Sequence, residues 1–158
     1  MYIKYIDGDV TSPKTKDGII AHIVNDVGAF GMGVSKAISN AFPMTEQMYR
    51  EWYRTDIFDL GQNFYISVSS TNTLYVCHMV AQKGLRSSQN PSPLDYYALA
   101  QCLFNLYNVA SMTGLAIHMP RIGSGLAGSD WNKIEEIIEN NATLFMVDTY
   151  IYDLPTKE

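Results

Sequence analysis

The chain has 158 residues, of which 47% are hydrophobic and 17% charged, a composition that predicts one compactly cored domain over 1–158 and excludes a disordered chain. A net charge of −5 excludes diffuse attraction to nucleic-acid phosphates, so an anionic ligand has to be held by local geometry. No run approaches the ~20 apolar residues of a membrane helix, the N-terminus lacks a secretory pattern, and Cys77 and Cys102 sit in apolar runs without metal-like spacing. These features predict a cytoplasmic protein with free, buried thiols and no membrane partner.

In chain order, "YIKYI" (2–6) alternates as an edge strand does, and "GIIAHIVN" (18–25) is a β-branched apolar run that reads as a buried strand. "GVSKAISNAF" (33–42) puts Val34, Ala37, Ile38 and Ala41 on one helical face, with Pro43 ending the helix. "TEQMYREWYR" (45–54) predicts a second short helix. "NFYISVS" and "LYVCHMVAQ" predict two strands joined by the turn "SSTNT". A polar, proline-punctuated loop, "KGLRSSQNPSP" (83–93), leads into a long helix over 93–114 with Leu99, Cys102, Leu103 and Leu106 inward and Gly114 as its stop. "LAIHMP" (115–120) reads as a buried strand. "DWNKIEEIIENNATLF" (130–145) reads as an amphipathic helix with Trp131, Ile134, Ile137 and Ile138 inward, and "TYIYDL" (149–154) as a last strand. This order predicts an α/β fold, a mixed sheet covered by helices on both faces, with ligands at the carboxyl ends of strands.

Two strand-to-helix junctions are rich in glycine: "HIVNDVGAFGMGVSKAI" (22–38) and "MPRIGSGLAGSDW" (119–131). Unpaired N–H groups and the helix dipole make each a predicted anion seat, and glycine lets a ligand approach the backbone. Neither carries the Lys-Ser/Thr of a P-loop or a clean G-x-G-x-x-G. Two such loops at one sheet edge predict a clamp on a diphosphate. His22, His78 and His118 fall near predicted strand ends, where convergence would give a general base or a three-histidine metal site. Strand histidines are more often satisfied core residues, and neither a metal nor another cofactor is expected. His22, three residues before Asn25, is the histidine expected to touch the site.

"GDVTSP" (8–13), the first glycine loop and "PRIGSGLAGSDW" together resemble the macro domain over nearly the whole chain, and most of all the small stand-alone macro domains that process ADP-ribose derivatives. The resemblance implies a three-layer α/β/α sandwich around a mixed sheet of about six strands, with ADP-ribose in a cleft at the sheet edge. It implies that Asp9, with Val10 beside it, accepts from the adenine amino group; the alternative is a turn aspartate. Tyr152 matches a position where an aromatic packs on adenine, with plain core packing as the alternative. Gly31, Met32, Gly33 and Val34 are implied to approach the diphosphate and distal ribose, as are Ile122, Gly123, Ser124, Gly125, Leu126, Ala127 and Gly128 from the second loop. Asn25 and Asp26 stand where the family places polar groups near the distal ribose, although many relatives carry N-A-A-N there; a turn or cap role is the alternative. One branch of the family uses a lysine–aspartate pair. Lys83 stands roughly at the lysine, but Ala127 stands where that aspartate would be, which leaves Asp26 as a substitute from the other loop.

The implied function is binding of ADP-ribose and hydrolysis of a derivative at the distal ribose, as an ADP-ribose 1″-phosphate phosphatase or a de-ADP-ribosylating hydrolase. Asn25, Asp26, Lys83 and His22 are the catalytic candidates. The alternative is a non-catalytic reader or sequestering module. In either case the partner is ADP-ribose, a derivative, or an ADP-ribosylated macromolecule. A dinucleotide-dependent oxidoreductase is disfavoured, because neither glycine loop follows the first strand with the expected fingerprint.

Overall fold

The computed structural model describes residues 1–30, 32–124 and 129–154. Its elements are β1 (Ile3–Asp7), β2 (Gly18–Asn25), α1 (Gly33–Ala41), α2 (Met44–Tyr53), β3 (Asn63–Ser67), β4 (Leu74–Gln82), α3 (Tyr96–Thr113), β5 (Ile117–Pro120), α4 (Trp131–Phe145) and β6 (Thr149–Asp153). The strands form the expected mixed sheet, in the order β1-β6-β5-β2-β4-β3. Only the short turn between β3 and β4 permits an antiparallel neighbour; the other pairs are parallel and need longer crossovers.

Alternation along the central strands builds the layers. Ile19, Ala21, Cys77, Met79 and Ala81 pack against Leu99, Leu103 and Leu106 of α3 and Ile134 and Ile138 of α4. On the other face Ile20 and Val76 meet Ile38 of α1, while Val24 and Val80 meet Tyr49 and Trp52 of α2. Both cysteines are buried free thiols, and no helix among the described residues is long and apolar enough to cross a membrane.

The ends of α3 follow from its caps. Asp95 accepts from the Ala98 N–H, so the helix starts at Tyr96 rather than at Pro93, and Gly114 closes it in the left-handed region at φ 70°. The apolar face expected for α1 is realised at Ile38 alone; Val34, Ala37 and Ala41 are exposed. This nine-residue helix is therefore pinned through one side chain and leaves its first turn open.

α4 ends at Met146, which adopts a left-handed φ of 53° with its side chain 72% exposed. Met146→Gly is expected to raise stability by about 0.5–1 kcal/mol, because glycine carries no Cβ penalty there. A urea midpoint that fell instead would contradict this.

β2 runs on to α1 and α2 on one face of the sheet, whereas β5, its neighbour, runs on to α4 on the other. At their carboxyl ends the chain therefore leaves in opposite directions, the switch point at which open α/β sheets bind ligands in a crevice.

Candidate functional site

The carboxyl ends of β1, β6, β5, β2 and β4 share one edge of the sheet. Across it lie, in order, the Asp9 turn, the second glycine loop, the first glycine loop and the Lys83 loop. From β1 to β4 this row spans about 19 Å at the usual strand spacing.

The first loop is held from beneath by Asn25, which is 8% exposed. Its Oδ1 accepts from the N–H groups of Val27 and Ala29, each at 3.1 Å, and from the Tyr49 hydroxyl at 3.0 Å. Its Nδ2 donates to the Ala29 carbonyl at 2.6 Å. The amide oxygen and one N–H of the amide nitrogen thus shape the loop, as a turn role requires. Phe30 packs its ring against His22, His78 and Tyr49 at centroid distances of 6.0, 5.6 and 5.3 Å. Arg50 donates to the Gly28 carbonyl at 3.1 Å, and Gly28 has φ 77° with Tyr53 filling the space a Cβ would need. Sequence reasoning passed over Tyr49, Phe30 and Arg50. The available signals were the 45, 49, 52 helical spacing of buried residues and a lone aromatic among the glycines.

Asp26 joins this loop to the next. Its N–H donates to the Gln82 carbonyl at 2.9 Å, and its Oδ1 accepts from the Gly84 N–H at 2.8 Å. Lys83 lies between those two partners with its side chain exposed. Its own backbone is fixed by the Pro93 carbonyl at 2.8 Å and Asn90 Nδ2 at 2.9 Å. The backbone of Lys83 therefore stands beside Asp26, between two residues that Asp26 bonds.

The two expected anion seats differ. Met32 caps α1 in extended conformation without a side-chain hydrogen bond, no acid stands in the first turn, and Met32, Gly33 and Val34 are exposed. Those N–H groups are open to an anion. At α4, Asp130 accepts from the Asn132 N–H at 3.0 Å, so this N-terminus carries the acidic cap that α1 lacks.

Of the second loop, Ile122 is buried at 3% exposure, so its side chain belongs to the core and only its backbone can face a ligand. Gly123 has φ 78°, and a Cβ there would stand 2.6 Å from Ile134 Cδ1. Ser124 donates through N–H (3.3 Å) and hydroxyl (2.6 Å) to the Arg121 carbonyl, which closes a turn. Gly31, Gly125, Leu126, Ala127 and Gly128 lie outside the described residues. Arg121 anchors the loop: Nε and Nη2 donate to the Asp153 carboxylate at 2.7 and 3.0 Å, between the rings of Tyr5 and Trp131.

At the far end, Asp9 Oδ1 accepts from the Thr11 N–H (2.9 Å) and hydroxyl (2.7 Å), an Asx turn on an exposed residue. Val10 is buried, 6% exposed, in the cluster that also holds Tyr152. Tyr152 is 5% exposed, and its hydroxyl accepts from the Lys14 N–H at 2.8 Å. The Tyr152 ring is packed in that core cluster, the alternative reading of its position.

The three histidines do not converge on one point. His22 Nε2 and His78 Nδ1 are 2.5 Å apart, while His118 bonds the Tyr152 hydroxyl at 2.7 Å and the Thr15 hydroxyl at 2.8 Å. His22 is 1% exposed and does not reach the crevice surface. Burial lowers His78 and His118 to about 4 and His22 well below its usual range. An unfolded chain therefore binds more protons than the fold between about pH 4 and the free-histidine value. Acidification through that window removes stability, about 2 kcal/mol for His78 by pH 5. A melting temperature that stays level from pH 7 to pH 5 would contradict these neutral rings.

The sequence model of the macro domain matches residues 21–138, three-quarters of the chain. The chain belongs to the macro domain family. A macrodomain protein from Streptomyces coelicolor superposes with TM-score 0.84 at 31% identity, covering 97% of this chain and 99% of that one. A Bacteroides thetaiotaomicron protein of unknown function gives 0.90 at 37%, covering 98% and 99%. Thermosipho africanus DarTG in complex with ADP-ribose shares the fold at TM-score 0.77 and 16% identity, over 99% of this chain and 42% of that one. The macro domain is also 26% identical to the ADP-ribose 1″-phosphate phosphatase of Candida albicans, over 87% of this chain and 92% of the relative.

Proposed function

We propose that residues 1–158 act as one macro domain that binds ADP-ribose in the crevice between β2 and β5 and hydrolyses an ADP-ribose derivative at the distal ribose. The observation that carries this reading is the uncapped, acid-free N-terminus of α1 opening at the switch point of a sheet in a chain of net charge −5. The ADP-ribose 1″-phosphate phosphatases among its relatives support it. In this reading Asp9 and the backbone at Val10 take the adenine. The diphosphate lies between the first turn of α1 and the loop Ile122–Gly128. The distal ribose lies along Gly31–Val34, toward Asp26 and Lys83. A cytoplasmic setting suits the two free thiols.

For a 1″-phosphate, water oxygen bonds to phosphorus as the P–O1″ bond breaks. The Asp26 carboxylate takes the water proton, the Lys83 ammonium balances charge on the leaving O1″, and that proton passes from Asp26 through solvent to O1″, which leaves as the hydroxyl. Asn25 positions the loop rather than touching the reacting atoms. Ala127, at the place of the aspartate used by one branch of the family, favours a second reading as a non-catalytic ADP-ribose reader.

Incubating the protein with ADP-ribose 1″-phosphate, O-acetyl-ADP-ribose, and ADP-ribosylated protein or DNA separates the two. Release of phosphate, acetate or ADP-ribose is the expected result. Binding without turnover on any of them establishes the reader instead.

A further inference from the structure

A line of polar groups that the proposed hydrolysis does not use runs under the first glycine loop. His78 Nε2 lies 2.9 Å from the Thr45 carbonyl oxygen, His78 Nδ1 lies 2.5 Å from His22 Nε2, and His22 Nδ1 lies 3.3 Å from Ser35 Oγ. Its proton positions follow from its far end. A carbonyl only accepts, so His78 carries its proton on Nε2, and as a neutral ring it leaves Nδ1 bare. His22 must then donate from Nε2 and leave its own Nδ1 bare. Ser35 must donate its hydroxyl proton there. Burial keeps both rings neutral at pH 7. They sit between the apolar clusters of Ile20 with Val76 and of Val24 with Val80, with Phe30 edge-on to each.

Ser35 is the third residue of α1, half-buried, in the turn whose N–H groups open on the crevice. Cα–Cβ bonds of a helix tilt toward its N-terminus, so the Ser35 Cβ leans to the loop side of the turn while its Oγ meets His22 Nδ1. A serine free to rotate there would donate to a phosphate oxygen. This one has its proton committed inward and offers only lone pairs outward.

We propose that Ser35 is a ligand-selecting residue, held by the His78–His22 line as a hydrogen-bond acceptor toward the crevice, where it receives a hydroxyl of the distal ribose and disfavours a phosphate oxygen. This rests on the ADP-ribose reading above. His22 and His78 act through Ser35 and are positioning residues.

The test titrates wild type and Ser35→Ala with ADP-ribose and with ADP, which lacks the distal ribose, and records the ¹⁵N imidazole spectra of both proteins. Ser35→Ala is expected to weaken ADP-ribose by about five- to tenfold, the loss of one hydrogen bond, and to leave ADP within about twofold. Both rings should show the Nε2–H form, with the His22 Nδ1 signal moving toward an unbonded value in Ser35→Ala. Equal effects on the two ligands, no effect on either, or an Nδ1–H form of His78 would overturn the proposal while the ADP-ribose reading stands. Wild type that binds no ADP-ribose would overturn both.

Discussion

Asn25→Ala is expected to lower ADP-ribose affinity at least tenfold and to cost about 2–4 kcal/mol of stability, measured by calorimetry and urea unfolding. The side chain is 8% exposed and holds two backbone N–H groups, one carbonyl and the Tyr49 hydroxyl. Alanine leaves these groups without their partner, and the loop that presents the first turn of α1 loses its shape. The sequence alone predicts the opposite split, slow turnover with binding nearly spared, because an asparagine at the end of a buried strand reads equally as a substrate contact. Near-normal affinity with turnover reduced a hundredfold would return the amide to the substrate.

Asp26→Asn and Lys83→Ala are expected to cut turnover by about 10²-fold each, with ADP-ribose affinity changed far less. Asparagine keeps an oxygen for the Gly84 N–H, so the joint between the two loops survives while the carboxylate charge is lost. Lys83 is tied to the fold through its backbone, so truncating its side chain leaves the 83–93 loop in place. These two variants therefore separate chemistry from architecture, as Asn25→Ala does not. Near-normal turnover in both would remove the pair from the mechanism. A loss in Lys83→Ala alone would leave the lysine acting without Asp26.

Hydropathy periodicity made the layers legible. The apolar runs "GIIAHIVN" and "LYVCHMVAQ" are central strands covered on both faces, and Leu99, Cys102, Leu103 and Leu106 all lie inward as the helical spacing requires. Gly114 and Pro43 stop or separate helices for local steric reasons, which a sequence displays directly. The α1 face misled because spacing shows which residues share a side and not whether a partner covers it. At the crevice, glycine positions were visible but satisfaction of polar groups was not. Ser124 is one such residue, since nothing in the chain shows that its hydroxyl donates to the Arg121 carbonyl. Tyr152 looked available for a base because nothing in the chain reveals the Lys14 N–H and His118 ring that hold its hydroxyl. The pairing of His22 with His78 depends on strand register, a contact between residues 56 apart, and no local pattern encodes it.

The most direct test of the central claim is an isothermal titration of the wild-type protein with ADP-ribose, with AMP run alongside. An open anion seat flanked by sites for a base and a second ribose predicts micromolar binding of ADP-ribose, about −7 to −9 kcal/mol, and much weaker binding of AMP. Absence of both heat and thermal stabilisation at millimolar ADP-ribose would contradict the account.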